Sequence, residues 1–229
     1  MAGRKNFVAG EILTAADVNS FLMDQSVMVF DDSGARGSAI PTPSEGMVTY
    51  LKSDDQVTVF DGSAFKPVGG LVAVKHVIKT NVFSASVNAG NNVAITDLSI
   101  THEVQDPANK LIITAFFGTA SMSTLAVSVG IGIARDGTLI SVGDSAGNRT
   151  SVTAGGEITA NNTSPLRQVT MPHITIVDTP GAGSKTYTVR GINTSGSNGT
   201  LFVGRAPDDS DLASRTRAAS AIIIQEVAV

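Results

Sequence analysis

The chain has 229 residues, a net charge of −4 and no cysteine, and only 16% of its residues are charged. Without cysteine there is neither a disulfide nor a thiolate metal site, so stability must come from packing or assembly. No basic run exceeds the pair Arg4-Lys5, which leaves nothing to displace counterions from a phosphate backbone and excludes nucleic-acid binding.

Before Asp17 there is no apolar run of signal-peptide length. No stretch approaches the ~20 apolar residues of a membrane helix. The sequence therefore predicts a soluble protein made in the cytoplasm, without membrane insertion. Twenty-three glycines and the low charge suit β-structure surfaced by hydroxyls and amides, or protomers buried against one another.

In chain order, the first element is a helix over residues 15–24. Thr14 and Asp17 form a capping-box-like start, and Val18, Phe21 and Leu22 recur at helical spacing. At that length it is too short to be stable alone and must dock on something. A strand over 26–30 follows, then the extended bend Ile40-Pro-Thr-Pro43. Strands at 47–52 and 56–60 are joined through Ser53-Asp54-Asp55. A second hairpin, Phe60 to Phe65, turns at Asp61-Gly62, where positive φ angles are needed. Pro67-Val-Gly-Gly70 marks a domain boundary. Seventy residues with this little apolar area make a marginal core.

From residue 71 the pattern is β throughout. Candidate strands are 71–79, 82–87, 92–101, 110–118, 125–134, 138–142, 168–178, 185–193, 200–204 and 218–228, each bounded by Gly, Asn, Asp or Pro. The fold class is mainly β: a small N-terminal helix-plus-hairpin module over 1–70, then a jelly-roll-like β-sandwich over 71–229. Residues 125–133 alternate strictly, with branched side chains at 125, 127, 129, 131 and 133 and small ones between. The branched face belongs in the core. The small face admits close approach by a neighbouring element or by a symmetry-related chain.

Catalytic and metal motifs are absent or broken. In Pro180-Gly-Ala-Gly-Ser-Lys-Thr186, Ser184 separates glycine from lysine and a strand follows, so this is a hairpin turn and not a phosphate loop. Gly130-Ile-Gly132 has Arg135 where a dinucleotide loop needs its third glycine. His76, His102 and His173 lie far apart with no zinc spacing. Asp208-Asp-Ser-Asp211 lacks the glycine and distal glutamate of a calcium loop and reads as a solvated acidic loop. No cofactor or metal site is expected. Loops at 143–165 and 193–199 are rich in Asn, Ser, Thr and Gly, with Arg149 and Arg167 nearby. They are either plain solvent-exposed loops or tips that hydrogen-bond polar ligands.

The run Phe7-Val-Ala-Gly-Glu-Ile-Leu-Thr-Ala-Ala-Asp-Val-Asn19 with Phe21-Leu-Met23 resembles the N-terminus of virion appendage proteins of tailed bacteriophages, of the minor-tail or tail-fibre type. The blocks Ala35–Pro43, Glu45–Tyr50 and Val59–Phe65 extend that resemblance over about the first 70 residues. It implies a particle-docking module anchored by Phe7, Leu13, Val18, Phe21 and Leu22, a homotrimer, other virion proteins as partners, and location in the virion. It further implies a distal domain that meets bacterial surface glycan, for which Asn148, Arg149, Asn161, Asn162, Asn193 and Asn198 are the candidate contacts. No long shaft separates the two parts, so a capsid decoration or head-fibre protein competes with a short tail fibre. A glycan-degrading enzyme using Glu103, Asp144 and Glu157 is the reading from another class.

Overall fold

The computed structural model describes residues 8–18, 26–124, 127–158 and 173–228. The chain divides into two compact units close to residue 72. Both are built mainly of β-strands.

In the first unit, helix α1 spans Ala15–Val18 and begins at the capping box. The Asp17 amide donates to the Thr14 hydroxyl (3.1 Å), and the Thr14 amide donates to the Asp17 carboxylate (3.2 Å). The expected continuation to residue 24 lies outside the described residues. Strands β1 (Met28–Phe30), β2 (Val48–Leu51), β3 (Gln56–Phe60) and β4 (Phe65–Pro67) form one sheet in that order. The β3–β4 turn is the Asp61-Gly62 hairpin, with Gly62 at φ 96°. The Asp61 carboxylate accepts from the Ala64 amide, the Ser63 amide and the Ser63 hydroxyl, which together hold its pKa at about 2.

Helix α2, Ser33–Ala39, was not expected from sequence. Its sequence, SGARGSA, has two glycines and no apolar period. What starts it is Asp32, whose side chain accepts from the Ala35 amide at 2.7 Å. The helix makes β1 and β2 parallel neighbours, Met28 opposite Thr49, where a tight turn would have made them antiparallel. Arg36 of α2 donates to the Thr58 hydroxyl (3.0 Å) and lies 4.0 Å over the Phe65 ring. Beneath it the Thr49 and Thr58 hydroxyls meet at 2.8 Å. Met47 and Leu51 are the buried apolar residues of this unit among those described, which is little core for its length.

Among its described residues the second unit holds twelve strands: β5 (Leu71–Lys79), β6 (Phe83–Val87), β7 (Asn92–Val104), β8 (Lys110–Phe116), β9 (Ala120–Met122), β10 (Val127–Arg135), β11 (Thr138–Ile140), β12 (Ala154–Ile158), β13 (Ile174–Asp178), β14 (Gly183–Asn193), β15 (Gly199–Val203) and β16 (Ser220–Val227). One sheet runs β11-β10-β14-β7 with β12 also paired to β10; a second runs β13-β8-β16-β5; a short third runs β6-β15-β9. Alternation along the strands, reset once in β7 at Asp97 (φ 65°), sends Ile95, Leu98 and Ile100 of β7, Leu111 and Ile113 of β8, and Ile222 and Ile224 of β16 into one common core. The chain crosses between sheets at almost every connection, so strands far apart in sequence become neighbours, β5 beside β16 and β7 beside β14.

The small face of β10 is closed by this chain itself. A Cβ on Gly130 would sit 2.4 Å from Val152, and one on Gly132 would sit 2.9 Å from Leu139. The segment after β11 therefore lies across that face, and of the two occupants the sequence left open the structure has the neighbouring element.

Candidate functional site

The two ends of the β7–β14 ladder differ in chemistry. At the end where β7 begins, the turn before it, the loop after β14 and the 148–150 loop enclose an open cleft of about 460 Å³. It is lined by Ala89, Gly90, Asn148, Arg149, Thr150, Thr194, Ser195 and Gly196. Two of the sequence-derived loop contacts, Asn148 and Arg149, are thus on its wall, both exposed. Among the described residues of the lining, Arg149 is the one charged residue, and no carboxylate is among them.

Two further candidates, Asn193 and Asn198, shape the cleft from behind. Asn193 is fully buried. Its amide donates to the Val87 carbonyl (2.9 Å) and the Ser197 carbonyl (3.0 Å), while its side-chain oxygen accepts from the Ser195 amide (2.9 Å). A host-facing role for Asn193 is corrected on that ground: every arm of the side chain is consumed in folding the loop. Asn198 accepts from the Ala89 amide at 2.9 Å and ties the 194–198 loop to the turn before β7. Asn161 and Asn162 lie outside the described residues. Asn193→Ala is expected to cost about 1–3 kcal/mol, since it strands buried backbone groups. Hydrogen exchange should show lost protection of the Ser195 amide while β8 and β16 stay protected.

At the opposite end the core is closed by two ionic staples that sequence reading missed. His102 Nε2 lies 2.7 Å from Glu226 Oε2, both side chains being buried. The second Glu226 oxygen accepts from Asn109 Nδ2 (2.7 Å) and the Gln105 amide (3.0 Å). Burial pushes the Glu226 carboxyl upward, but the hydrogen bonds from Asn109, His102 and Gln105 outweigh it and hold the pKa below its ordinary value. In the second staple, Arg135 Nη1 donates to both Asp178 oxygens (2.7 and 2.8 Å), and the buried Tyr187 hydroxyl donates to Asp178 Oδ2 at 2.7 Å. Tyr187→Phe is expected to cost about 1 kcal/mol in urea unfolding, because Arg135 still satisfies the carboxylate.

These groups link the two large sheets, His102 on β7 to Glu226 on β16 and Arg135 on β10 to Asp178 on β13. The acids considered for sugar cleavage fall on three different elements. Glu103 is at the far end of β7, about 35 Å of strand away from Asn92. Asp144 is in the loop after β11, and its carbonyl accepts from the Ser151 hydroxyl at 3.3 Å. Glu157 lies on β12, opposite Ser128.

The acidic loop at 208–211 is ion-paired where a solvated loop was expected: Arg215 reaches Asp208 at 3.0 Å, while Arg217 and Arg205 reach Asp209 at 2.7 and 3.4 Å. Among the described residues no group of three or more His, Asp or Glu side chains could hold a metal ion. Of the expected docking residues, Leu13 is exposed and Val18 half-buried; Phe7, Phe21 and Leu22 lie outside the described residues. Ile12, beside Leu13, is 84% exposed, and Val8 is also exposed. No protein-family model and no curated protein matches this chain.

Proposed function

We propose that this protein is a non-enzymatic structural component of a tailed-bacteriophage particle, a short three-chain tail fibre or minor tail protein. It attaches to the particle by its first 70 residues and meets the bacterial surface with its C-terminal domain. The observation that carries the reading is the contrast between the two units. Among its described residues the first buries two apolar side chains, Met47 and Leu51, while leaving Val8, Ile12, Leu13, Val29 and Val57 exposed. A unit built this way completes its core against something else. The second has a full core of its own and a cleft whose described lining carries one guanidinium among amides and hydroxyls, chemistry suited to hydrogen-bonding a sugar.

The strand orders β5-β16-β8-β13 and β7-β14-β10-β12 support a jelly-roll reading of this β-rich unit.

Deletion of residues 1–25 is expected to abolish incorporation into particles while the C-terminal unit still folds. Particles that retain the truncated protein overturn the reading. A second reading, a capsid decoration or head-fibre protein, draws on the absence of a shaft: Gly70 leads straight into β5. Gold-labelled protein on heads and not on tails would select it.

A further inference from the structure

Three-fold assembly, as proposed above, needs a surface on which copies meet, and the small face of β10 is already occupied by the chain's own segment. We infer that copies of this chain pack through the outer face of the β13-β8-β16-β5 sheet. The inward residues of that sheet are Ile174 and Ile176, Leu111 and Ile113, Ile222 and Ile224, and Val77, all in or against the core. Period-two alternation then sends Val177, Ile112, Phe116, Ile223, Val74 and Ile78 outward. Val177 is 59% exposed, Ile78 60% and Val74 52%.

Composition sets this face apart from an ordinary solvated surface. Its polar members are nearly all neutral: the Thr114 and Thr175 hydroxyls meet at 3.1 Å, and His173 stacks on Phe116 with ring centroids 4.4 Å apart. Among the described residues no carboxylate lies on it, and Lys110 stands at its edge, where β8 begins. The outer face of the other large sheet is different. There Ser99 pairs with Thr188 (3.0 Å) and Thr101 with Thr186 (2.9 Å), a ladder of hydroxyls that water can replace. Two sheets of one domain, both with outer faces, have been given opposite surfaces, so the apolar one is not a by-product of overall composition.

Size and charge point to a second copy as the occupant. Four strands about 4.8 Å apart and about seven residues long give a face of about 19 by 24 Å. That footprint, about 450 Å² before side-chain relief, is more than half of the ~800 Å² that each partner contributes to a stable interface. The chain is acidic overall, yet this face carries no acid, so copies meet here without like-charge contact. A basic or acidic partner would find nothing on it to pair with.

The test uses the purified full chain, so it can fail without touching the question of virion incorporation, and the reverse. Light scattering at tens of micromolar should give a multiple of the 23.5 kDa protomer. The double variant Ile78→Lys/Val177→Lys, altered where the side chains already face solvent, should run at 23.5 kDa with an unchanged melting transition. Arg149→Ala, in the cleft, should leave the mass of the assembly as it is. The chain lacks cysteine, which permits a second measurement on unperturbed assemblies. Val177→Cys should be cross-linked between chains by a short bis-maleimide, and Ser99→Cys on the opposite sheet should not. A wild type that runs as a monomer overturns the inference. So does an assembly that survives the lysine variant, or cross-linking from Ser99→Cys alone.

Discussion

Glu226→Ala is expected to lower the unfolding free energy by about 3–5 kcal/mol, because it leaves His102, Asn109 Nδ2 and the Gln105 amide facing a buried void. For a domain of this size that corresponds to a fall of about 6–20 °C in melting temperature. Glu226→Gln keeps an acceptor for one of those donors and should cost about 1–3 kcal/mol. The pH dependence separates the ionic part from the packing part. The folded carboxyl titrates below its ordinary value of 4.5, so its contribution is complete above that pH and is lost as the pH falls through the folded value. Urea midpoints measured from pH 7 down to pH 3 should drop below about 4.5 for the wild type. In Glu226→Gln that part of the slope should vanish. Equal slopes in the two proteins would mean that the acid sensitivity arises elsewhere.

Both halves of that pair were within reach of the sequence. Ile222, Ile224 and Glu226 share one face of β16, just as Ile100, His102 and Val104 share one face of β7. A carboxylate and an imidazole standing at core parity on separate strands signal a partner, since a lone buried charge is too costly to keep. What alternation does not give is which strands lie across from each other, so the partner could not be named. The capping box at Thr14 and the Asp61-Gly62 turn were legible for the opposite reason: all the atoms they need lie within four residues. Helix α2 was hidden because its start rests on one Asp32 side chain and its remaining support comes from Thr58 and Phe65, more than twenty residues on. In the cleft, composition drew attention to the Asn-rich loops that line it but could not separate a surface amide from a structural one. Asn148 and Asn193 read alike in sequence, and burial alone distinguishes them.

Asp178→Ala should cost about 2–4 kcal/mol, somewhat less than the Glu226 change because Arg135 is one-third exposed and can turn to water. The larger effect comes from combining the two. Asp178 and Glu226 both stand opposite Leu111, on the strands to either side of β8, so they occupy one row across the sheet about 10 Å apart. In both staples the carboxylate comes from the β13-β8-β16-β5 sheet and the basic partner from the facing one, Arg135 on β10 and His102 on β7. They share no hydrogen-bond partner, so their costs should add to within about 0.5 kcal/mol. The sum, about 5–9 kcal/mol, reaches the whole stability of an ordinary domain. Asp178→Ala/Glu226→Ala is therefore expected to lose cooperative thermal unfolding and near-ultraviolet dichroism, while each single variant keeps both. If the double variant unfolds cooperatively with less than about 3 kcal/mol lost, the sheets are held by apolar packing alone. The staples would then be passengers on the core.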